Sequence, residues 1–291
     1  MPLSRRTVLT ASALGVATVP LLPTLGAAVA HANPESDLFE FGMGIGDLTG
    51  PAAECGMMGY SQLDQATAGI HLRPRARAFV IGTGDNRVAF VAVENGAVFG
   101  SVHRGVLLAL AERFGDRYTE RNVVLTSTHT HASCGGSAHD YAYTLATLGF
   151  QQQVYDAEVA GIVEAIVAAD ADLAPGTIAL GRAQLHDASV NRSRVAFERN
   201  PADDRAVFPD AVDPAVTTLV FRRGGREVGT LTWFATHNTS MTNENKLISG
   251  DNKGFAAWHW EREIEGVDYL KDDSPDFISA FPQTNAGDMS P

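Results

Sequence analysis

The chain has 291 residues, 45% of them hydrophobic and 19% charged, with a formal net charge of -12. That size and composition support one large packed domain or two modest ones. The acidic balance excludes a basic nucleic-acid footprint, so no nucleic-acid partner is expected, and it gives no electrostatic hold on anionic membranes.

The N-terminus reads as a targeting segment. Arg5 and Arg6 in "SRRTVL" precede an apolar run from Val8 to Val29, and "AHA", ending at Ala32, supplies a small-residue cleavage site. This is the pattern of a twin-arginine export signal over 1–32, with a mature chain over 33–291 that is secreted or periplasmic. A Sec signal or a membrane anchor is the alternative. The run holds Thr, Ser, Gly and two prolines, which is weakly apolar for a spanning helix. Cys55 and Cys134 are the two cysteines of the chain. In an exported protein an even pair points to a disulfide, and two buried thiols are the other reading.

Order is expected to begin after a short tail over 33–40. "FEFGMGIGDLTGP" alternates like a strand and turns at Pro51, and "MMGYSQ" reads as a loop. "RARAFVIGTGDNRVAFVAVEN" reads as two strands joined at "GTGDN". Val102, Val106, Leu107, Leu110 and Phe114 recur at helical spacing until Gly115 ends the run. "NVVLTSTHTH" is a short buried strand running into a polar loop, and "DAEVAGIVEAIVAADADL" is a second helix closed by "APG". "GTIALGRAQL" and "AVTTLVFRRGGREVGTLTWFATH" are strands, the latter a hairpin turning at "RGGRE". "GDNKGFAAWHWEREIEG" is a helix, and "DFISAFPQTNAGDMSP" is a strand ending in a polar loop. Hairpins mixed with strand–helix alternation predict an α/β domain with a mixed sheet flanked by helices.

Polar, glycine-rich segments recur just after predicted strands: "GDLTGP", "THTHASCGG", "THNTSMTNEN" and "TNAGDMSP". Strand ends are where α/β proteins build sites. His129 and His131 lie two apart on a segment read as extended, so both side chains face one side. His237 repeats the setting after "LTWFAT". Imidazoles from two strand ends, with further ligands, suit a zinc with an open position, and satisfied core or loop histidines are the alternative. No HExxH or CxxC pattern adds to the signal. Ser290 in "GDMSP" is either a nucleophile or a turn residue. Arg192 in "SVNRSR" either holds an oxyanion or is a surface charge. Asp251 in "SGDNKG" either caps the following helix or orients a histidine ligand. "GMGIGD" lacks the spacing of a dinucleotide fingerprint.

Seven blocks, "GDLTGPAAECGMMGY", "HLRPRARAFVI", "THTHASCGG", "NRSRVAFERNP", "THNTSM", "SGDNKGFAA" and "QTNAGDMSP", resemble the neutral (non-lysosomal) ceramidases, in the same order along the chain. The resemblance runs from about residue 41 to the end. It implies cleavage of the amide of ceramide, or a related N-acyl sphingoid lipid, into sphingosine and a fatty acid. It implies Zn2+ held by His129 and His237, with His131 and Arg192 as active-site residues and Ser290 as nucleophile. It leaves open whether water or Ser290 attacks. A substrate of this kind brings transient contact with a membrane or micelle surface. "ASCGG" stands where the family usually has "SGPGG", and Cys55 stands where it tends to have an apolar residue, which strengthens the expectation of a bridge. The family's remaining zinc ligands, a glutamate and a tyrosine, and an immunoglobulin-like domain lie downstream of the serine motif. The chain is therefore expected to be the front part of a longer enzyme, its sheet left with an exposed face or edge. Two alternatives share these residues: an amidase for another N-acyl lipid or N-acyl amino acid, and an inactive lipid-binding fragment.

Overall fold

Three glycines decide how the first strand packs. The computed structural model describes residues 39–83, 86–271 and 275–291, so the predicted export signal lies outside the described residues. Strand β1 (Phe39–Asp47) alternates Phe41, Met43 and Ile45 with Gly42, Gly44 and Gly46. A Cβ on Gly44 would stand 2.2 Å from the carbonyl oxygen of Ala165, and one on Gly46 would stand 2.0 Å from that of Gly161. Only a hydrogen there lets the helix Gln152–Ala171 lie directly on the strand backbone. Phe41 and Met43, on the opposite side, enter a second core.

After β1 come β2 (Ala53–Met58), β3 (Ala66–Ala68), β4 (Arg75–Thr83) and β5 (Asn86–Val93). Helix α1 (Gly100–Phe114), β6 (Val123–Ser127), β7 (Ser133–Cys134), the turn α2 (Tyr141–Thr144) and α3 (Gln152–Ala171) follow. Then come β8 (Ala174–Gln184), β9 (Val190–Asn191), the short helices α4 (Arg194–Phe197) and α5 (Ala202–Val207), β10 (Ala215–Arg223) and β11 (Arg226–Phe234). Helix α6 (Asp251–Trp258) runs into a π-helical turn, His259–Ile264, before β12 (Ile278–Ala280) and β13 (Met289–Ser290).

Eight strands form one sheet in the order β12-β11-β10-β8-β1-β4-β5-β6. The outer pairs β11–β12 and β5–β6 are parallel and the rest antiparallel. The expected mixed sheet flanked by helices is what forms. Both predicted hairpins pair, β4 with β5 as far as Thr83 opposite Asn86, and β10 with β11 as far as Arg223 opposite Arg226. Two boundaries differ. The loop read in "MMGYSQ" begins inside β2, which with β3 and β7 makes a small separate sheet. "APG", read as the end of a helix, falls in β8, because Ala174 and Pro175 pair with β1 at its edge.

One sheet face packs on α1 and α3 through Ala78, Val91, Val106, Leu110, Ile162 and Ile166. The other face coils onto itself: Phe79 of β4 lies 5.0 Å from Phe221 of β10, with two strands between them in the sheet. Coiling follows from the right-handed twist of long antiparallel strands. It also brings a buried charge network together. Arg77 of β4 binds Glu261 through Nε and one terminal nitrogen, 2.7 Å each, and also binds Glu94. The two carboxylates hold that guanidinium well above its usual pKa against the opposing effect of burial. Exposed apolar side chains remain at the edge strand, Val124, and on β8, Leu180.

Candidate metal centre

The site is built where the two ends of the coiled sheet meet. β6 leaves the sheet at Ser127, and Thr128 N–H still bonds the Val93 carbonyl of β5. The backbone then turns sharply at His129, whose φ is +66°. The Ser127 hydroxyl accepts the His129 N–H at 2.9 Å and stabilises this left-handed residue. Thr130 forms a parallel bridge with Asn238, beyond the other end of the sheet. Its hydroxyl donates to the Ser249 carbonyl at 2.9 Å. His131 N–H bonds the Asn238 carbonyl at 3.2 Å. Gln283 spans the same seam, donating to the carbonyls of Thr128 and Thr236.

Three imidazoles converge there. Ring centroids are 4.7 Å apart for His129 and His131, 4.6 Å for His129 and His237, and 5.1 Å for His131 and His237. One nitrogen from each ring lies within 4.8 Å of the others. Their tautomers follow from their neighbours. His129 Nδ1 is 2.6 Å from the Gly96 carbonyl oxygen and His237 Nδ1 is 2.8 Å from that of Ala286. A carbonyl only accepts, so both Nδ1 atoms carry the proton and both Nε2 atoms are unprotonated, that of His129 accepting from His131. His129 Nε2 sits 3.2 Å from His131 Nε2. Burial, the two other imidazoles and Arg192 push His131 down to about 3, so this ring stays neutral. Burial also lowers His237, against the bond to Ala286. Imidazole nitrogens clustered in this way, two of them with the other ring nitrogen anchored to a backbone carbonyl, could hold a metal ion.

The extended geometry expected for 129–131 is corrected. His129 is left-handed, and the rings converge because the intervening Thr130 is anchored on both sides of the seam. Tyr60, which the sequence did not mark, lies edge-on to His131 at 4.6 Å and donates to the Met241 carbonyl. Gly59, at φ +122°, clears the same ring, since a Cβ would meet His131 at 2.4 Å. Backbone carbonyls such as Gly96 and Ala286 carry no side-chain signature, so sequence gave no sign of them.

Ser290 sits on β13, where it faces Val190 of β9, and Arg192 follows β9 directly. Arg192 N–H and guanidinium bind the carbonyls of Asp288 and Gly287, both at 2.9 Å. Met289 O accepts the His237 N–H at 2.7 Å, so the ribbon is tied directly to a ring-bearing residue. Asp251 does not touch a histidine ring. It begins α6 and accepts Ser240 N–H at 3.1 Å and Met241 N–H at 3.0 Å, holding the loop after His237. Asn252 adds a bond to the His237 carbonyl at 3.0 Å. The expected disulfide is not formed: Cys55 and Cys134 are free, buried thiols. The two share a small core with Val154 and Ile248, and Cys134 Sγ turns to the Pro51 carbonyl at 3.4 Å.

A mixed, helix-flanked sheet with imidazoles gathered at its strand ends defines an α/β protein with a side-chain group that could hold a metal ion. The chain belongs to the neutral/alkaline non-lysosomal ceramidase family, whose N-terminal family model matches residues 39–291. It is 51% identical over 258 residues to a neutral ceramidase of Mycobacterium tuberculosis, covering 87% of this chain and 40% of that protein. It is 44% identical over 256 residues to the Pseudomonas aeruginosa neutral ceramidase, covering 87% of this chain and 37% of that protein. The crystal structure of neutral ceramidase from Pseudomonas aeruginosa superposes with a TM-score of 0.82 over 88% of this chain and 40% of that one. A ceramidase complexed with C2 gives the same score and 44% identity. The chain thus spans about two fifths of the length of the curated relatives it matches.

Proposed function

We propose that the chain carries the histidine portion of a zinc-dependent amidohydrolase that cleaves ceramide into sphingosine and fatty acid. The observation that carries this reading is the imidazole cluster, with Nδ1 of His129 and His237 tied to carbonyls and their Nε2 atoms unprotonated. His129 and His237 would hold the metal. Zinc, when bound, supplies Lewis acidity that polarises the scissile carbonyl.

The chain's own residues do the rest. His131 lies against both ligand rings, and Arg192 acts on it electrostatically. These two are the donors for an oxyanion, and one such donor is worth about 3 to 4 kcal/mol. His131, neutral at rest, would take the proton of the attacking water or Ser290 hydroxyl and pass it to the leaving sphingosine amine. Ser290, one residue from the carbonyl that binds His237, is the candidate nucleophile. An apolar cleft of about 300 Å3, lined by Leu185, Val216, Phe234, Phe281 and Pro291, opens beside it and suits an alkyl chain. After the histidine loop, exposed Tyr141, Tyr143, Leu145 and Leu148 suit contact with a lipid surface. The twin-arginine segment supports an extracytoplasmic site of action.

The test is release of fatty acid from labelled ceramide, with and without a zinc chelator, beside a panel of other N-acyl lipids and N-acyl amino acids. Chelator-sensitive release that prefers ceramide is expected, with loss of at least about a hundredfold in His129→Ala. Preference for another N-acyl substrate would move the reading to a different amidase. One observation favours a second reading for this stretch of chain. Among the described residues the cluster holds three imidazoles and no carboxylate. In that reading the chain binds lipid without turnover, and ceramide would raise the melting temperature while releasing no product.

A further inference from the structure

Segment 95–97 supplies the acceptors that set the histidine loop. The Asn95 carbonyl takes the Ser127 hydroxyl at 2.6 Å and Thr130 N–H at 3.1 Å. The next carbonyl, Gly96, takes the His129 Nδ1 proton at 2.6 Å. These acceptors are only as fixed as the backbone that bears them. That backbone is held by the Asn95 side chain, which is 2% exposed. Its Nδ2 donates to the Ala97 carbonyl at 3.0 Å and to Glu158 Oε1 at 3.3 Å. Ala97 O only accepts, so the orientation of the amide is determined.

Glu158 is 4% exposed, in the middle of α3, which the β1 glycines press onto the sheet. It forms no ion pair with a described residue; besides Asn95 the Ser137 side chain bonds the carboxyl, and Oε2 has no hydrogen-bond partner. A buried carboxyl without a cation costs free energy, so core packing alone does not account for it. It lines a small void together with Glu94, Asn95, Ser133 and Cys134.

We propose that Glu158 is a positioning residue for His129. It acts through Asn95 to fix the 95–97 segment, whose Gly96 carbonyl selects the Nδ1-protonated tautomer and leaves Nε2 without a proton. The consequence for metal binding rests on the zinc reading above, but the link itself does not.

The experiment uses the chain with 15N-labelled histidine rings and no metal, followed by Co2+ titration. In the parent, His129 shows a single Nδ1-protonated tautomer. Glu158→Ala is expected to give a mixed tautomer and about tenfold weaker Co2+ binding. Glu158→Gln keeps the Oε1 acceptor, and its new NH2 displaces no existing bond, so it is expected to match the parent in both readouts. Asn95→Leu breaks the same link from the other side and decides the matter if Glu158→Ala does not fold. A folded Glu158→Ala or Asn95→Leu variant that keeps the single tautomer overturns the proposal. So does a Gln variant that behaves like Ala, which would assign the effect to charge. A parent that binds no Co2+ would sink the metal reading while leaving the tautomer result to judge the positioning role.

Discussion

Burial pushes the Glu158 carboxyl up from 4.5 to about 7. Because the folded-state pKa is raised, the native protein holds this proton where the unfolded chain has released it. Stability from this group is therefore full at low pH and falls as pH rises from about 4.5 to about 7. Glu158→Gln has no proton to lose. Its unfolding free energy should gain on the parent's across that window, by about 3 kcal/mol at the top. Urea melts of both proteins at intervals from pH 4.5 to 7.5 measure the difference, and a constant gap would show that the carboxyl is ionised throughout. At this scale the sequence was partly legible. Histidines after strands are visible because imidazole is rare and its chemistry specific. Tyr60, Gly59 and the carbonyls of Gly96 and Ala286 were not, because their roles depend on backbone direction and on which ring happens to lie beside them. Asp251 shows the same limit: capping and histidine orientation were both reasonable for an acid at a helix start, yet its carboxylate holds the backbone of Ser240 and Met241.

At the level of elements, β1 and α3 form the tightest junction. Gly44→Ala places a methyl 2.2 Å from the Ala165 carbonyl oxygen and 2.6 Å from Ala169 N. Helix backbone cannot yield as a flexible side chain would, so a loss of about 3 kcal/mol is expected. Gly181→Ala on β8 is the control, since its Cβ would meet only the Thr218 carbonyl oxygen at 3.7 Å and should be near neutral. Chemical unfolding of the two variants decides it, and equal stabilities would mean that α3 shifts without cost. The alternation in "FGMGIGD" announced a strand, but the identity of what lies against the glycine side needed the fold. The hairpins were legible because turn residues stood between β-rich runs. β2 was not, because "AECGMM" has no clean alternation and pairs only with the short β3 and β7.

For the molecule as a whole, the sequence pattern specified a mixed α/β sheet but not its coil, since twist accumulates over many strands and leaves no local mark. That coil is what makes the centre. β6 is an edge strand of the sheet and β11 lies next to the opposite edge, yet the chain leaving each one meets the other at the Thr130–Asn238 bridge. An ion shared by His129 and His237 would therefore add a link across a seam otherwise closed by hydrogen bonds. It would bind the closed form and not the open one, adding about 2.7 kcal/mol at a hundred times its dissociation constant. Hydrogen exchange should slow most at Thr130, His131 and His237 when Zn2+ is added, and His237→Ala should abolish the effect. Uniform slowing across the sheet would argue against a seam. Occupancy and closure would then be a single equilibrium: a bound ion would act as a clasp across the seam, and a chelator would work on the loaded protein as a denaturant with one target.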